Sequence, residues 1–251
     1  MADYIEGKHP VIEALRVGIP LTQIMVADNL KRDGLLADIE RKARRADVPV
    51  KQVPRKKLDE ISSRGSHQGV IAAAREFDYV SVRQIPDAAK QQAEETNGRA
   101  LVIVLDHITD AGNLGAVVRS AHTVGASGVI IPNKRSCQVT SATYKSSAGA
   151  IAHLPVARVS NLVGAMEALK QEGFWIAGAS EHAKDVIWDA NLTGKIALVM
   201  GSEGEGISRL VLENCDFLVK LPQVGKVESL NVAQAATACM YEWLRQNWQR
   251  A

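Results

Sequence analysis

The 251 residues are 46% hydrophobic, 23% charged and 4% aromatic, with a formal net charge of +2, a globular composition with length enough for two modest cores. There is no apolar run near the ~20 residues that cross a bilayer, and the opening MADYIEGKHP lacks the apolar core of a signal peptide. Three scattered cysteines (Cys137, Cys215, Cys239) exclude a disulfide framework and a cysteine zinc site, so a cytoplasmic location and no metal are expected.

In chain order, the pattern predicts a short helix from Pro10 to Arg16 and a strand from Leu21 to Val26. A helix follows from Leu35 to Ala46, with Leu35, Leu36, Ile39, Ala43 and Ala46 at helical spacing. Val48 to Val53 reads as a strand, Lys56 to Ile61 as a short helix and Val70 to Ala74 as a strand, completing a small α/β unit. Between Lys31 and Lys57 stand ten Lys/Arg and four acids. Two readings stay open there: a face for a phosphate backbone, or a solvated helix surface. The polar, Gln/Glu-rich stretch 78–98, broken by Pro86 and Gly98, reads as a linker carrying one weakly amphipathic helix.

Beyond it the pattern becomes regular. Strands are expected at Leu101–Leu105, Gly128–Ile131, Phe174–Ala177, Ile196–Met200 and Phe217–Leu221. Between and after them, helices are expected at Leu114–Val124, Thr140–Ala150, Leu162–Glu172, Arg209–Asn214 and Val232–Gln246. Such alternation predicts an open, Rossmann-like parallel sheet with helices on both faces. Ligands of these sheets sit beyond the carboxyl ends of the strands, so the loops after strands are where chemistry is sought.

Three such loops stand out. In the first, Asp106 to Arg119, Gly112 and Gly115 bracket Asn113 at a helix start; Asn113 is either functional or a plain N-cap. Arg119 lies further along that otherwise apolar helix, where a surface arginine is the plain alternative. The second, Met200-Gly-Ser-Glu-Gly-Glu-Gly206, lets a backbone approach a ligand closely. Its G-x-x-G-x-G spacing is not the dinucleotide fingerprint. Glu203 and Glu205 would repel a pyrophosphate and favour a neutral or cationic cofactor such as a sulfonium. The third, Leu221-Pro-Gln-Val-Gly-Lys-Val-Glu-Ser-Leu-Asn231, ends at the last helix, which Ser229 or Asn231 would cap.

In this order the loops resemble the three motifs of SpoU-type methyltransferases of the SPOUT superfamily: an N-x-G-x-x-x-R-S-A box at Asn113–Ala121, an L-V-M-G-S-E-G-E-G box at Leu198–Gly206 and an L-P-x-x-G-x-V-x-S-L-N-V box at Leu221–Val232. Gly7–Leu15 and His67–Ala72 are similar to the family's N-terminal RNA-binding domain. The chain departs from the pattern at Ala111, where a proline is usual, and at Ala233, where serine is frequent. The resemblance implies an RNA substrate-binding domain at 1–77, the linker at 78–98 and a catalytic domain at 99–251 that ends in a deep trefoil knot. Periodicity alone gives only a plain doubly wound sheet.

The resemblance also implies S-adenosylmethionine as cofactor, bound at Met200, Gly201, Leu221 and Leu230, and a homodimer with its active site at the subunit interface. Arg119 is implied as the central catalytic residue, with Asn113, Glu203, Ser229 and Asn231 orienting it, the ribose and the loops. An arginine is a poor base, so its expected work is to hold the target's phosphate and stabilise the developing alkoxide. In detail the chain is similar to bacterial members that methylate a guanosine ribose in 23S rRNA. The alternatives are a tRNA 2'-O-ribose methyltransferase and a non-catalytic RNA-binding protein. The wrong glycine spacing argues against a nicotinamide oxidoreductase.

Overall fold

The computed structural model describes residues 3–62, 65–226 and 229–248. The chain divides into two compact units, one comprising residues up to Asp78 together with Val139–Gly149, the other Tyr79–Gln138 together with the chain from Ala150 onward.

The first unit contains β1 (Tyr4–Glu6), α1 (Lys8–Arg16), β2 (Leu21–Ala27), α2 (Gly34–Arg45), β3 (Val50–Val53), α3 (Arg55–Ile61) and β4 (Val70–Ala74). Its sheet runs β1-β4-β2-β3, antiparallel except for the β2–β3 pair. Strand β4 is inner and apolar throughout, and all five of its residues are buried. Helix α2 starts where the Asp33 side chain accepts from Leu36 N–H, and it buries Leu36, Ile39 and Ala43 along one stripe. Lys8 donates to the same Asp33 carboxylate at 2.5 Å, which holds that carboxyl below its ordinary range. Helix α3 closes the other side, with Leu58 packed on Met25, Ala27 and Ile71. His67 is buried in the turn before β4. Gly69 N–H donates to its Nδ1 at 3.0 Å, so Nε2 carries the proton and donates to Asp59 at 2.9 Å. The basic stretch spans α2, the edge strand β3 and α3, and Lys31, Arg45, Lys51, Arg55, Lys56 and Lys57 are all exposed.

The second unit contains α4 (Gln84–Glu95), β5 (Ala100–Leu105), α5 (Ala111–Thr123) and β6 (Gly128–Pro132). The chain then passes through α6 (Ser141–Ser146), which packs with the first unit. It returns as β7 (Val156–Val159), α7 (Leu162–Gln171), β8 (Trp175–Ala179), β9 (Asp185–Val186), β10 (Lys195–Met200), α8 (Arg209–Glu213), β11 (Phe217–Lys220) and α9 (Val232–Asn247). The seven strands are all parallel, in the order β7-β6-β5-β10-β8-β11-β9. Two strands enter late between earlier ones: β10 between β5 and β8, and β11 between β8 and β9.

Alternation along β5 divides the layers. Ala100, Val102 and Val104 face a core built with α4, α7 and α8. Leu101, Ile103 and Leu105, also fully buried, face the opposite side, where α5 and α9 pack together. The stretch 78–98 differs from a linker. Its helix, α4, buries Ile85, Pro86, Ala89 and Ala93, and the first, third and fourth of these join that core. The fit is tight: a Cβ on Gly128 of β6 would lie 2.5 Å from Ile85 Cδ1 and 3.1 Å from the Pro155 carbonyl oxygen, so any side chain there would force Ile85 to move. The helix expected at Thr140–Ala150 ends at Ser146, because Ala148 (φ 50°) and Gly149 (φ 87°) turn left-handed. No helix among the described residues is long and apolar enough to cross a membrane.

Candidate active site

The loops leaving β5, β8, β10 and β11 gather at the carboxyl end of the sheet. The tightest follows β10. Ser202 and Gly206 exchange two backbone hydrogen bonds of 3.0 Å each, pinching residues 201–207 into a narrow turn. A Cβ on Gly201 would stand 2.0 Å from Gly206 C and 2.2 Å from Ile207 N, so only glycine permits this approach. Asp106, buried at the end of β5, anchors the far side of the turn by accepting from Ser208 N–H at 2.7 Å. His107, with φ 61°, sets its Nδ1 2.5 Å from the other Asp106 oxygen.

Glu203 projects from the tip of that turn. Its Oε1 accepts from Asn113 Nδ2 at 2.9 Å, from Asn231 Nδ2 at 2.6 Å and from Val232 N–H at 3.4 Å. Asn231 Nδ2 also donates to Asn113 Oδ1 at 3.0 Å, so its two protons bridge the two neighbours. Three loops far apart in sequence are thus tied at one carboxylate. Asn113 is not the cap of α5: Asp110 is, accepting from Asn113 N–H at 2.7 Å, which leaves the Asn113 side chain free for Glu203. Asn231 does both jobs, since its Oδ1 caps α9 by accepting from Ala233 N–H at 3.0 Å.

Beside this cluster lies a cleft of about 250 Å³. Met200, Gly201, Leu221 and Leu230 all line it, as do Glu203 and Ser229. The loop after β8, Ala179–His182, forms another part of the wall and was missed in the sequence reading. Its signal was available, because it follows a strand of the same sheet and ligands gather there. The walls pair apolar side chains with bare backbone, as a flat heteroaromatic ring requires. Glu181, Glu203 and Glu205 outnumber the one lysine, Lys220, at the lining, which suits a cationic or zwitterionic ligand. Among the described residues no group of acids, histidines and cysteines is placed to hold a metal.

Arg119 stands apart. It is exposed on α5 and forms no ion pair with a described residue. Six residues separate it from Asn113, which places it about 120° around the helix and ~9 Å along it. Asn113, Ala116 and Ser120 instead line a groove shared with Asn231, Ala233, Thr237, Ala238 and Tyr241 of the α9 segment, closed at its floor by the Ser120–Thr237 hydroxyl contact of 2.7 Å.

Residues 100–241 match the model of the SpoU rRNA Methylase family. Residues 4–80 match that of the RNA 2'-O ribose methyltransferase substrate-binding domain. The chain is 40% identical over 243 residues to a protein of Bacillus subtilis (strain 168) described as a TrmH family tRNA/rRNA methyltransferase, YacO, covering 97% of this chain and 95% of that one. A similarly described protein of Staphylococcus haemolyticus (strain JCSC1435) is 38% identical over 245 residues, covering 98% and 96%. Among solved structures, the SpoU methyltransferase AviRb of Streptomyces viridochromogenes in complex with AdoMet superimposes with a TM-score of 0.71 at 25% identity, over 98% of this chain and 90% of that one.

Proposed function

The chain belongs to the SpoU rRNA methylase family of RNA methyltransferases, and we propose that it transfers a methyl group from S-adenosylmethionine to the ribose 2'-OH of one nucleotide, a guanosine of 23S rRNA. The observation that carries this reading is the joining of Asn113, Glu203 and Asn231 beside a cleft lined by Met200, Gly201, Leu221 and Leu230. Met200, Leu221 and Leu230 with the backbone at Gly201 hold the cofactor's adenine. The carboxylates on the lining face its positive charge. When bound, the cofactor supplies an electrophilic methyl carbon on a sulfonium centre.

The residues of the chain position a ribose oxygen in line with that carbon and assist loss of its proton. Glu203 fixes the loops of Asn113 and Asn231 and orients their amides, with Ser229, toward the ribose. Arg119 holds a phosphate of the target and stabilises the alkoxide as it develops, while water or phosphate takes the proton. Its position on α5, about 120° around the helix from Asn113, supports a site completed across a homodimer, in which Arg119 of one subunit serves the cleft of its partner. The shallow α5–α9 groove of small side chains beside exposed Tyr241 suits a helix of a second copy. The late insertion of β10 and β11 supports a threaded, trefoil-knotted C-terminal segment. The N-terminal unit, with its basic α2–β3–α3 surface, docks the RNA; phosphate contacts of this kind weaken steeply with salt. The place of work is the cytoplasm.

Mapping 2'-O-methylated riboses in total RNA from cells with and without the gene tests the reading. Loss of one guanosine mark in 23S rRNA is expected. A lost tRNA mark beside an unchanged rRNA map would overturn the substrate, and no lost mark at all would overturn the function.

A further inference from the structure

The segment that begins with α5 is unlike the rest of the sequence in charge. From Ala111 to Met166 the chain carries none of its 28 acids, yet it holds Arg119, Lys134, Arg135, Lys145, Arg158 and two histidines, His122 and His153. The two histidines meet. Their rings stack with centroids 5.7 Å apart and planes 25° from parallel, and both residues are exposed. His122 lies three residues beyond Arg119, so the two side chains are neighbours one helical turn apart, with Cβ atoms ~5–6 Å apart. The 3-10 turn Ala150–Ala152 packs on α5 and delivers His153 to this side.

We propose that His122 and His153 form, with Arg119, a binding site for a phosphodiester of the substrate RNA, adjoining the nucleotide that Arg119 addresses. The inference rests on the RNA methyltransferase reading above. Two stacked imidazoles present N–H donors side by side. A phosphodiester oxygen seated between them accepts from both rings, beside the Arg119 guanidinium.

The groups facing the pair reinforce this. Arg119 comes from α5 itself, and β6 and the 3-10 turn bring no charged side chain. On α9, which packs on α5, Glu242 and Arg245 are paired with each other at 2.8 Å. Among the described residues no carboxylate on these elements is free to occupy the ring donors in place of RNA.

The test uses the full-length protein with bulk rRNA and tRNA from a strain lacking the gene, and labelled S-adenosylmethionine as methyl donor. For His122→Ala, His153→Ala and the double variant, KM for RNA is expected to rise about tenfold, far more than kcat falls. His122→Lys should restore a low KM. Calorimetric affinity for S-adenosylmethionine should stay at the wild-type value, and circular dichroism should show folded variants. A double variant with wild-type KM would overturn the proposal while leaving the methyltransferase reading standing. Wild-type protein that incorporates no methyl into either RNA would overturn both.

Discussion

Replacing Gly201 by alanine strikes the narrowest point of the candidate site. The added Cβ would lie 2.0 Å from Gly206 C, 2.2 Å from Ile207 N and 2.3 Å from the Gly206 oxygen, all backbone atoms. Ordinary contact begins near 3.4 Å, so the 201–207 turn must open by about 1.4 Å. Overpacking of this kind costs ~1–3 kcal/mol, and the upper end applies because no flexible side chain can yield. For a chain of this size that lowers Tm by roughly 6–12 °C. The same opening moves Glu203 and one wall of the cleft by more than 1 Å, a misplacement of the kind that costs ~100-fold in a positioned reaction. Thermal melts and calorimetric titration with S-adenosylmethionine measure both effects. Gly204 supplies the stability control, since a Cβ there meets nothing within 4 Å and its φ is not positive. A Gly201→Ala variant that melts within about 1–2 °C of wild type and binds the cofactor equally well would refute this placement of the turn.

Glu203→Ala removes the acceptor shared by Asn113, Asn231 and Val232. Because that cluster is exposed, water takes up the freed donors; Tm should move by less than ~2 °C, while methyl transfer falls at least ~100-fold. Equal loss of both in melts and kinetics would make Glu203 merely structural. Burial pushes the thiol of Cys137 up to about 11 and those of Cys215 and Cys239 up to about 12. A raised thiol value means the folded state keeps its protons longer, so this contribution to stability is whole below about pH 9 and declines from there to about pH 12. Iodoacetamide at pH 8 should leave all three native cysteines largely unmodified, and rapid alkylation would contradict their placement. Mixing Arg119→Ala subunits with Gly201→Ala subunits should restore up to about a quarter of wild-type activity, since in the proposed homodimer about half the chains would pair as heterodimers with one intact site each. Well-folded mixed dimers without activity would refute the shared site.

The sequence carried the regular elements well and the irregular ones poorly, for identifiable reasons. Leu101–Leu105 is a β-branched run buried on both faces, and it reappears as β5 (Ala100–Leu105) within one residue. The strands that escaped notice, β1, β7 and β9, have three, four and two residues, too short for a period to show. The stretch 78–98 looked polar because α4 buries only one side, and small alanines do much of that packing. At the site, the order of three loops in one chain was legible. What was not legible was which amide caps a helix and which reaches across, because Asn113 suits either role until Asp110 is seen to take the cap. The Ala179–His182 wall carried no motif, and only strand topology brings it to the cleft.

Methyl transfer to a ribose hydroxyl is tested directly with purified protein, labelled S-adenosylmethionine and RNA from a strain lacking the gene, followed by nuclease digestion and mass spectrometry of the nucleosides. A single 2'-O-methylated nucleoside is expected, guanosine from 23S rRNA, whose formation is abolished by Arg119→Ala. A label on a base, or no label in any RNA from well-folded protein that binds the cofactor, would contradict it.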